Sequence, residues 1–311
     1  MKFTKILILI FLICSFQNLF ASTYDQGVQE FQKLISQNKE QLKNDNQAFF
    51  WGQGKKTKTV LLFHGLSNSP GDFKEIAKVY YRNNYNVVTV RLRDHGLLPE
   101  FRDPLRLTIT TNQWREDIDT VLNIALKFSS NNKVALVGYS LGGVLATDTI
   151  YRHPFIATSI VYISPAFQIS NAAAPMAEYV KGFVDFIDKG IPEGQYFYND
   201  FAINQIQNTY DLGIEIHKQV IEEKNSGIFE IPKMMFLTDA DTTISNDAAI
   251  KTALQINIPQ ENIILYKNTD PEHEVKHRDM PYKYIVSTGE ENPIYKDMLR
   301  KIDLFLKSTR R

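Results

Sequence analysis

Residues 133–150, KVALVGYSLGGVLATDTI, restrict the possible folds of this chain more than any other stretch. The apolar run at 134–137 stops at Gly138, and a helical pattern follows directly after Gly143. This order predicts a strand, a sharp turn and a helix, with Ser140 on the turn. Such a turn holds the serine in a strained backbone conformation and lifts its hydroxyl clear of the sheet edge. Ser140 is therefore the candidate nucleophile.

The same turn predicts an anion-binding group. The N–H of Leu141 lies at the start of the predicted helix, where unpaired backbone donors and the helix dipole favour negative charge, as a tetrahedral oxyanion requires. A single Gly-x-Ser-x-Gly motif is weak evidence, because Gly-rich strand-to-helix turns also occur in other α/β proteins. The interpretation therefore depends on partner residues elsewhere in the chain.

Strand and helix patterns alternate along the rest of the chain. Connections of this length imply right-handed crossovers and a mostly parallel sheet, in which ligands bind at the carboxyl ends of the strands. An amphipathic helix whose apolar face includes Val28 and Leu42 precedes the first strand. The predicted strands are 59–63, 87–92, 134–137, 159–163, 234–237 and 263–266, and the predicted helices that follow them are 72–83, 113–128, 246–255 and 293–306.

Two carboxylates, Asp239 and Asp241, follow the predicted strand at 234–237, which we expect to lie beside the serine strand. A carboxylate that accepts a hydrogen bond from a histidine fixes its tautomer and stabilises the imidazolium formed during attack. We assign this role to Asp241, with Asp239 as the alternative. Either residue could instead cap the following helix.

The general base is sought among six histidines. Four of them have other expected places: His64 in a loop that shapes the oxyanion site, His95 in a second loop, His153 at a helix end and His217 in a long insertion. His273 and His277 remain, and both follow the last predicted strand. Either imidazole can take the serine proton and return it to the leaving group, since imidazoles titrate near neutral pH.

Five stretches of the chain resemble the α/β-hydrolase family, and within it the monoacylglycerol lipase and carboxylesterase group that includes serine aminopeptidase-like proteins. The family's order of nucleophile, acid and histidine is also present. The resemblance implies an α/β-hydrolase fold, with a mostly parallel central sheet flanked by helices and a helical lid insertion. The five stretches are HGLSNSP at 64–70, RLRDHG at 91–96, WRED at 114–117, GYSLGG at 138–143 and DTTI at 241–244.

Site roles follow from this resemblance. It implies Ser140 as nucleophile, Asp241 as acid, His277 as base, and oxyanion donors from the backbones of Leu66 and Leu141, with no cofactor and no metal. His277 is favoured over His273 because the stretches 277–281 and 292–295 are similar to those around the family's histidine.

Two features separate the chain from the family pattern. Asp94 stands where relatives usually have glycine. The loop at 270–276 is extended and charged, and it places Glu272 and Glu274 on either side of His273, as is usual for a solvated histidine. By loop length alone, His273 would be the closer match.

Residues 167–232 form an insertion far longer than an ordinary connection requires. Relatives carry a cap over the active site at this point. Phe183 and Ile187 lie on one predicted helical face, and Ile206, Tyr210, Ile214 and Ile221 lie on another, with the aromatic Phe197 between them. The predicted division of the chain is therefore a segment 22–50, a hydrolase core at 51–166 and 233–311, and a lid at 167–232.

An export signal is expected at residues 1–21. Lys2 and Lys5 precede an apolar run, and Ala21 and Ser22 supply the small residues of a cleavage point. The chain would then be periplasmic or secreted, unless the segment is kept as an anchor. The single cysteine, Cys14, lies inside this segment, so the processed chain would contain none.

Composition excludes several classes of function. Lys plus Arg and Asp plus Glu both number 35, with no long run of either sign, so no nucleic-acid partner is expected. No apolar run after the signal is long enough to span a bilayer. The sequence leaves the oligomeric state open.

The sequence therefore predicts a serine hydrolase of carboxylic esters, with short to medium acyl chains or a monoacylglycerol-like lipid as substrate and an acyl-enzyme intermediate. A peptidase or amidase that uses the same triad is the first alternative. A binding protein on a degenerate hydrolase fold is the second.

Overall fold

The computed structural model describes residues 22–170, 184–188, 193–222, 227–269 and 274–309. The predicted export signal at 1–21 lies outside these ranges. So do His273 and Phe183, together with part of the predicted lid.

A seven-stranded sheet forms the centre of the molecule, in the spatial order β1-β3-β2-β4-β5-β8-β9. Strand β1 pairs antiparallel with β3, and the other neighbours are parallel. A separate antiparallel pair is formed by β6 and β7. The strands are β1 (Phe50–Trp51), β2 (Lys58–Phe63), β3 (Tyr85–Thr89), β4 (Val134–Tyr139), β5 (Ala157–Ile163), β6 (Phe186–Asp188), β7 (Asp200–Ala202), β8 (Lys233–Thr238) and β9 (Ile263–Tyr266).

Helices cover both faces of the sheet. They are α1 (Thr23–Ser36), α2 (Lys74–Arg82), α3 (Pro99–Thr108), α4 (Thr111–Phe128), α5 (Leu141–Arg152), α6 (Ile203–Glu222), α7 (Asn246–Gln255) and α8 (Tyr295–Ser308).

The central strands are buried on both faces, and their side chains alternate between two apolar clusters. Leu61 and Phe63 of β2 join the cluster formed with α1, α4, α5, α6 and α7, whereas Val60 and Leu62 join the cluster formed with α2 and α8. This period of two is the normal consequence of strand geometry. It produces three layers, with the carboxyl ends of β2, β4, β5, β8 and β9 along one edge.

Three sequence predictions about the fold are wrong. Ile187, which was predicted to lie on a helical face, lies in strand β6. Strand β8 does not lie beside the serine strand β4, because β5 is hydrogen-bonded between them. The first amphipathic helix ends at Ser36, so Leu42 lies beyond it and forms an isolated bridge with Leu97.

The apolar face predicted for the second lid helix is also partly wrong. Ile206 is buried, but Ile214 and Ile221 are exposed. The buried stripe of α6 instead continues through Thr209 and Gly213, because the helix packs closely enough there to favour small residues. An alanine Cβ at Gly213 would lie 3.0 Å from the carbonyl oxygen of Phe167, so little space separates helix from backbone at this point.

Candidate active site

Ser140 lies at the carboxyl end of β4, in the turn that leads directly into α5. Its backbone has φ 54° and ψ −120°, a conformation that costs energy for a residue with a Cβ and is concentrated at functional sites. Two glycines make the turn possible. A Cβ on Gly142 would lie 2.0 Å from the carbonyl oxygen of Phe63, and one on Gly138 would lie 2.3 Å from the carbonyl oxygen of Gly142.

The structure brings Ser140, His277 and Asp241 together. Nε2 of His277 lies 2.9 Å from Oγ of Ser140, and its Nδ1 lies 2.7 Å from Oδ2 of Asp241. All three residues are at least nine-tenths buried. When His277 is neutral, Nδ1 donates to Asp241 and Nε2 accepts from the serine hydroxyl, which is the arrangement required for general-base activation.

Asp241 is held as a carboxylate. Its Oδ1 accepts hydrogen bonds from the N–H groups of Thr243 at 2.9 Å and Ile244 at 3.1 Å. Burial alone would raise its pKa, but His277 and these two N–H groups outweigh burial and hold the pKa of Asp241 below its ordinary value. The alternative acid, Asp239, turns away and accepts from both nitrogens of Asn268.

The loop after β9 fixes the position of His277. The carbonyl oxygen of His277 accepts from the hydroxyl of Tyr139 at 3.1 Å. Asp279 closes the same short turn by accepting from the N–H groups of Lys276 and Val286. The side chain of Asn292 donates to the carbonyl oxygen of Asp279 at 2.9 Å. The stretch 292–295, which favoured His277 in the sequence, therefore helps to hold the histidine turn.

Leu66 and Leu141, the two predicted oxyanion donors, flank Ser140. Leu141 is the first residue of α5, where N–H groups have no intrahelical acceptor. The peptide that carries the Leu66 N–H is fixed from its other side, since the carbonyl oxygen of Gly65 accepts from Nδ1 of His64 at 2.9 Å and from the N–H of Asn68 at 3.1 Å. The N–H of a trans peptide points away from its carbonyl oxygen, so these bonds also set the direction of the Leu66 N–H.

His64 is a neutral donor in this arrangement. Its Nε2 accepts from the N–H of Leu92 at 3.3 Å, so the proton is on Nδ1. Burial, followed by the neighbouring His95, lowers the pKa of His64 to about 3. The ring therefore supports the turn without titrating near neutral pH.

A cavity of about 460 Å³ opens beside Ser140. This volume is typical of small-molecule sites. Most of its wall is apolar, and the wall also carries two cationic side chains and one acidic side chain. Its lining includes Leu66, Ser67, Asn68, Tyr139, Ser140, Ala166, Ile169, Ile187, Asp188, Phe197, Phe201, Ile206, Thr209, Ile244, Lys276, His277, Arg278, Tyr282 and Val286.

The described part of the long insertion contributes to this wall. The N–H of Tyr198 donates to the carbonyl oxygen of Ser67 at 2.8 Å, and Phe197 forms an isolated bridge with Asn68. The insertion is therefore attached to the same turn that carries Leu66.

Within the ranges that the structure describes, no group of three or more His, Cys, Asp or Glu side chains is arranged to hold a metal ion. Within the same ranges, no helix combines the length and the apolar character needed to cross a bilayer.

A family model of serine aminopeptidases, S33, matches residues 54–275, more than two thirds of the chain. The chain belongs to the serine aminopeptidase S33 family. The match begins shortly before β2, includes Ser140 and Asp241, and ends two residues before His277. This membership confirms the family resemblance inferred from the sequence.

Two curated proteins similar to this family member are named lipases. The chain is 27% identical over 133 residues to an sn-1-specific diacylglycerol lipase, ABHD11, of Danio rerio, a match that covers 42% of the chain and 39% of the relative. It is 29% identical over 117 residues to a thermostable monoacylglycerol lipase of Bacillus sp. (strain H-257), covering 38% of the chain and 44% of the relative. The matches thus span less than half the length of either lipase.

Similarity to a solved structure confirms the predicted α/β-hydrolase core. The monoacylglycerol lipase of Paleococcus ferrophilus superposes with a TM-score of 0.63 at 16% identity, covering 84% of this serine aminopeptidase family member and 98% of the lipase. At that identity the likeness establishes the α/β-hydrolase fold with its mostly parallel sheet.

Sequence analysis did not identify several residues that support the site. Tyr139 and Asn292 hold the histidine turn, and Asn68 donates to the hydroxyl of Tyr282 at 2.9 Å in the cavity wall. Tyr139 could have been found by strand alternation, which places it on the opposite face of the sheet from Gly138. Asn68 and Tyr282 are 214 positions apart, and no local pattern relates them.

Proposed function

We propose that the protein is a serine hydrolase that cleaves carboxylic esters through Ser140, His277 and Asp241. The observation that carries this proposal is the pair of short contacts at His277, 2.9 Å to the Ser140 hydroxyl and 2.7 Å to the Asp241 carboxylate. The strained backbone of Ser140 supports it independently, because such strain persists where it serves a function.

The reaction follows from this arrangement. Ser140 Oγ attacks the ester carbonyl while Nε2 of His277 takes its proton, and Asp241 stabilises the resulting imidazolium. The N–H groups of Leu66 and Leu141 bind the oxyanion of the tetrahedral intermediate. The imidazolium then protonates the departing alcohol and leaves an acyl-enzyme, which a water molecule hydrolyses by the same steps in reverse order.

The cavity favours an acyl chain of short to medium length. Ile187, Phe201 and Ile206 provide apolar surface in the cavity that Ser140 also lines. A volume of about 460 Å³ lies in the range of small-molecule sites, and we propose an acyl group of short to medium length as its occupant. The similarity to monoacylglycerol and diacylglycerol lipases supports an acylglycerol or a related ester as substrate.

Charge around the cavity favours esters over aminoacyl amides. Lys276 and Arg278 flank His277 on the cavity wall, and Asp188 is the acidic lining residue among those described. An aminopeptidase must bind the α-ammonium group of its substrate, and two cations beside the base oppose this. Ester hydrolysis is therefore preferred to the peptidase activity that the family name suggests.

We further propose that the insertion at 167–232 acts as a cap over the acyl site. Its described residues Phe197, Phe201 and Ile206 line the cavity, and Tyr198 hydrogen-bonds to Ser67. A cap in this position would exclude water from the acyl-enzyme, which strengthens electrostatic interactions inside the site.

Export to the periplasm or the medium is also proposed, on the basis of the charged and apolar pattern at residues 1–21. Expression of the full chain in a bacterial host, followed by N-terminal sequencing of the exported protein, tests this. A new N-terminus near residue 22 is expected, and an uncleaved cytoplasmic chain would contradict the proposal.

A substrate panel tests the proposed activity. Turnover should be measured for p-nitrophenyl esters of increasing chain length and for aminoacyl p-nitroanilides. We expect the highest kcat/KM with an ester of short to medium chain and little turnover of the anilides. Preference for the anilides would establish the peptidase alternative.

A further inference from the structure

A second aspartate–histidine pair lies beneath the oxyanion turn. Asp94 and His95, in the loop after β3, are completely buried. The Asp94 carboxylate lies 2.8 Å from Nδ1 of His95 and accepts from Nε1 of Trp114 at 3.1 Å and from Nε2 of Gln205 at 2.7 Å. Burial alone would raise the pKa of Asp94, but His95, Gln205 and Trp114 outweigh it and lower the pKa to about 2. Asp94 is therefore ionised.

The other nitrogen of this histidine contacts the oxyanion turn. Nε2 of His95 donates to the carbonyl oxygen of Leu66. Both ring nitrogens of His95 thus face oxygen acceptors, so the ring is held from both sides. The carbonyl group of Leu66 follows directly after the N–H that is proposed to bind the oxyanion, so fixing it restricts the backbone rotation of Leu66.

The pair also connects this turn to the long insertion. Gln205 belongs to α6, and its Oε1 accepts from Nε of Arg106 at 2.9 Å. Arg106 is fully buried and forms an ion pair with Asp200 of β7 at 2.8 Å. A continuous chain of buried polar contacts therefore runs from β7 and α6 through Asp94 to Leu66.

We propose that Asp94 and His95 are positioning residues, which hold the Leu66 turn in the geometry that binds the oxyanion and tie that geometry to the packing of α6. This inference rests on the proposed hydrolase function. Neither residue lines the cavity as described, so neither acts on the substrate directly. The Asp94 carboxylate supplies the acceptor that orients His95.

Two substitutions of His95 isolate the hydrogen bond to Leu66. In His95→Gln the amide nitrogen can replace Nε2 as a donor, whereas His95→Met has a similar length and no donor. We expect His95→Met to lower kcat by roughly 10- to 100-fold with little change in KM, because a small displacement of a transition-state contact costs rate rather than substrate binding. His95→Gln should retain most of the activity.

Affinity for a transition-state analogue provides a readout that a general loss of stability would not change. A boronic acid that adds to Ser140 presents an oxyanion to the Leu66 turn, and its affinity should fall in parallel with kcat/KM in His95→Met. Asp94→Asn and Gln205→Met should show the same pattern, since each weakens the orientation of His95.

Asp148→Asn is the matched control. Asp148 is also buried, and its carboxylate pairs with Arg115 of α4 and with Arg152 of α5. This substitution should lower the thermal midpoint while leaving kcat and the affinity for the boronic acid close to wild type. The comparison separates a loss of stability from a loss of oxyanion binding.

Each outcome of these measurements supports or overturns the positioning role of Asp94 and His95. Parallel losses of kcat and boronate affinity in His95→Met, with recovery in His95→Gln, support it. Wild-type kcat in folded His95→Met and Asp94→Asn overturns it, and so does an equal loss in His95→Gln and His95→Met. Absence of ester turnover in the wild type would instead contradict the proposed hydrolase function, so the two failures can be told apart.

Discussion

The hydroxyl of Ser140 and Nε2 of His277 lie 2.9 Å apart although 137 positions separate the two residues in the chain. Two segments that meet at the same edge of the sheet make this contact possible. Strand β4 presents Ser140 at its carboxyl end, and the loop after β9 returns across the same sheet edge, where the hydroxyl of Tyr139 holds the carbonyl oxygen of His277. Strand β4, which carries the nucleophile Ser140, therefore also helps to position the base His277.

Replacement of the base is the first prediction. His277→Ala should lower kcat by several orders of magnitude with the fold intact, because no other described imidazole contacts Ser140. His273→Ala should cost less than about tenfold. Steady-state kinetics on one ester and thermal melts of both variants check this. If the larger loss occurs in His273→Ala, the assignment of the base is wrong.

The two neighbouring aspartates offer a matched pair of substitutions. Asp241→Asn should reduce kcat by roughly 10⁴-fold, because the altered partner favours the wrong tautomer of His277. Asp239→Asn removes a partly exposed carboxylate that contacts only Asn268 and Lys267 among the described residues, so activity should remain near wild type. Comparable kcat values in the two variants would rule out Asp241 as the orienting acid.

The cap proposal predicts a change in selectivity. Phe197 lines the cavity, and Phe197→Ala should shift the preference among acyl chain lengths by roughly 1–3 kcal/mol in relative transition-state binding. Phe155, which is 60% exposed and lies away from the cavity lining, provides the control. The measurement is kcat/KM across an ester series for Phe197→Ala, Phe155→Ala and wild type. Superimposable chain-length profiles would show that Phe197 does not contact the acyl group.

A buried lysine predicts how stability changes at alkaline pH. Lys233 is 3% exposed and donates to the carbonyl oxygens of Phe229 and Ile231. Burial lowers its pKa to about 8, despite the opposing effect of Glu230. Between pH 8 and 10.5 the unfolded chain holds a proton that the folded chain has lost, so the free energy of unfolding gains up to about 1.4 kcal/mol per pH unit from this group.

Lys233→Met lacks this contribution. Denaturant unfolding at pH 7.5 and about pH 9.5 should therefore show the wild type gaining stability relative to Lys233→Met at the higher pH. An unchanged difference between the two proteins would mean that Lys233 keeps an ordinary pKa in the folded state.

Helices and strands whose ends are marked by neighbouring residues were predicted accurately from the sequence. The predicted helix 246–255 and strand 263–266 have the bounds of α7 and β9. The helix start is marked by Ser245, whose hydroxyl accepts from the N–H of Ala248 at 3.2 Å. A cap of this kind is visible in sequence because it needs only neighbouring residues.

Helix α3 was not predicted from the sequence, because it buries charged side chains and exposes apolar ones. Its buried side chains are Arg102 and Arg106, whereas Phe101 and Leu105 are more than one third exposed. The arginines are stabilised by acidic partners and by the ring of Tyr198, which lies 4.8 Å from the guanidinium carbon of Arg106. Apart from Asp103 in the same helix, these partners come from distant parts of the chain, so hydrophobic periodicity could not reveal the helix.

The order of strands and the network at Asp94 depend on tertiary contacts. Trp114 and Gln205 reach Asp94 from 20 and 111 positions away. Local motifs indicated that His64, Ser140 and Asp241 are chemically important. They did not indicate which side chains support these three residues.

Ser140 is the proposed nucleophile of an esterase, and covalent labelling provides the strongest test of this role. Wild type and Ser140→Ala should be treated with a fluorophosphonate, and intact-protein mass and ester turnover measured on the same samples. We predict one adduct on the wild type, with a parallel loss of activity. Ser140→Ala should form no adduct, retain less than a few per cent of the wild-type turnover and keep a nearly unchanged thermal midpoint. Labelling of Ser140→Ala, or ester turnover by that variant close to wild type, would contradict the account.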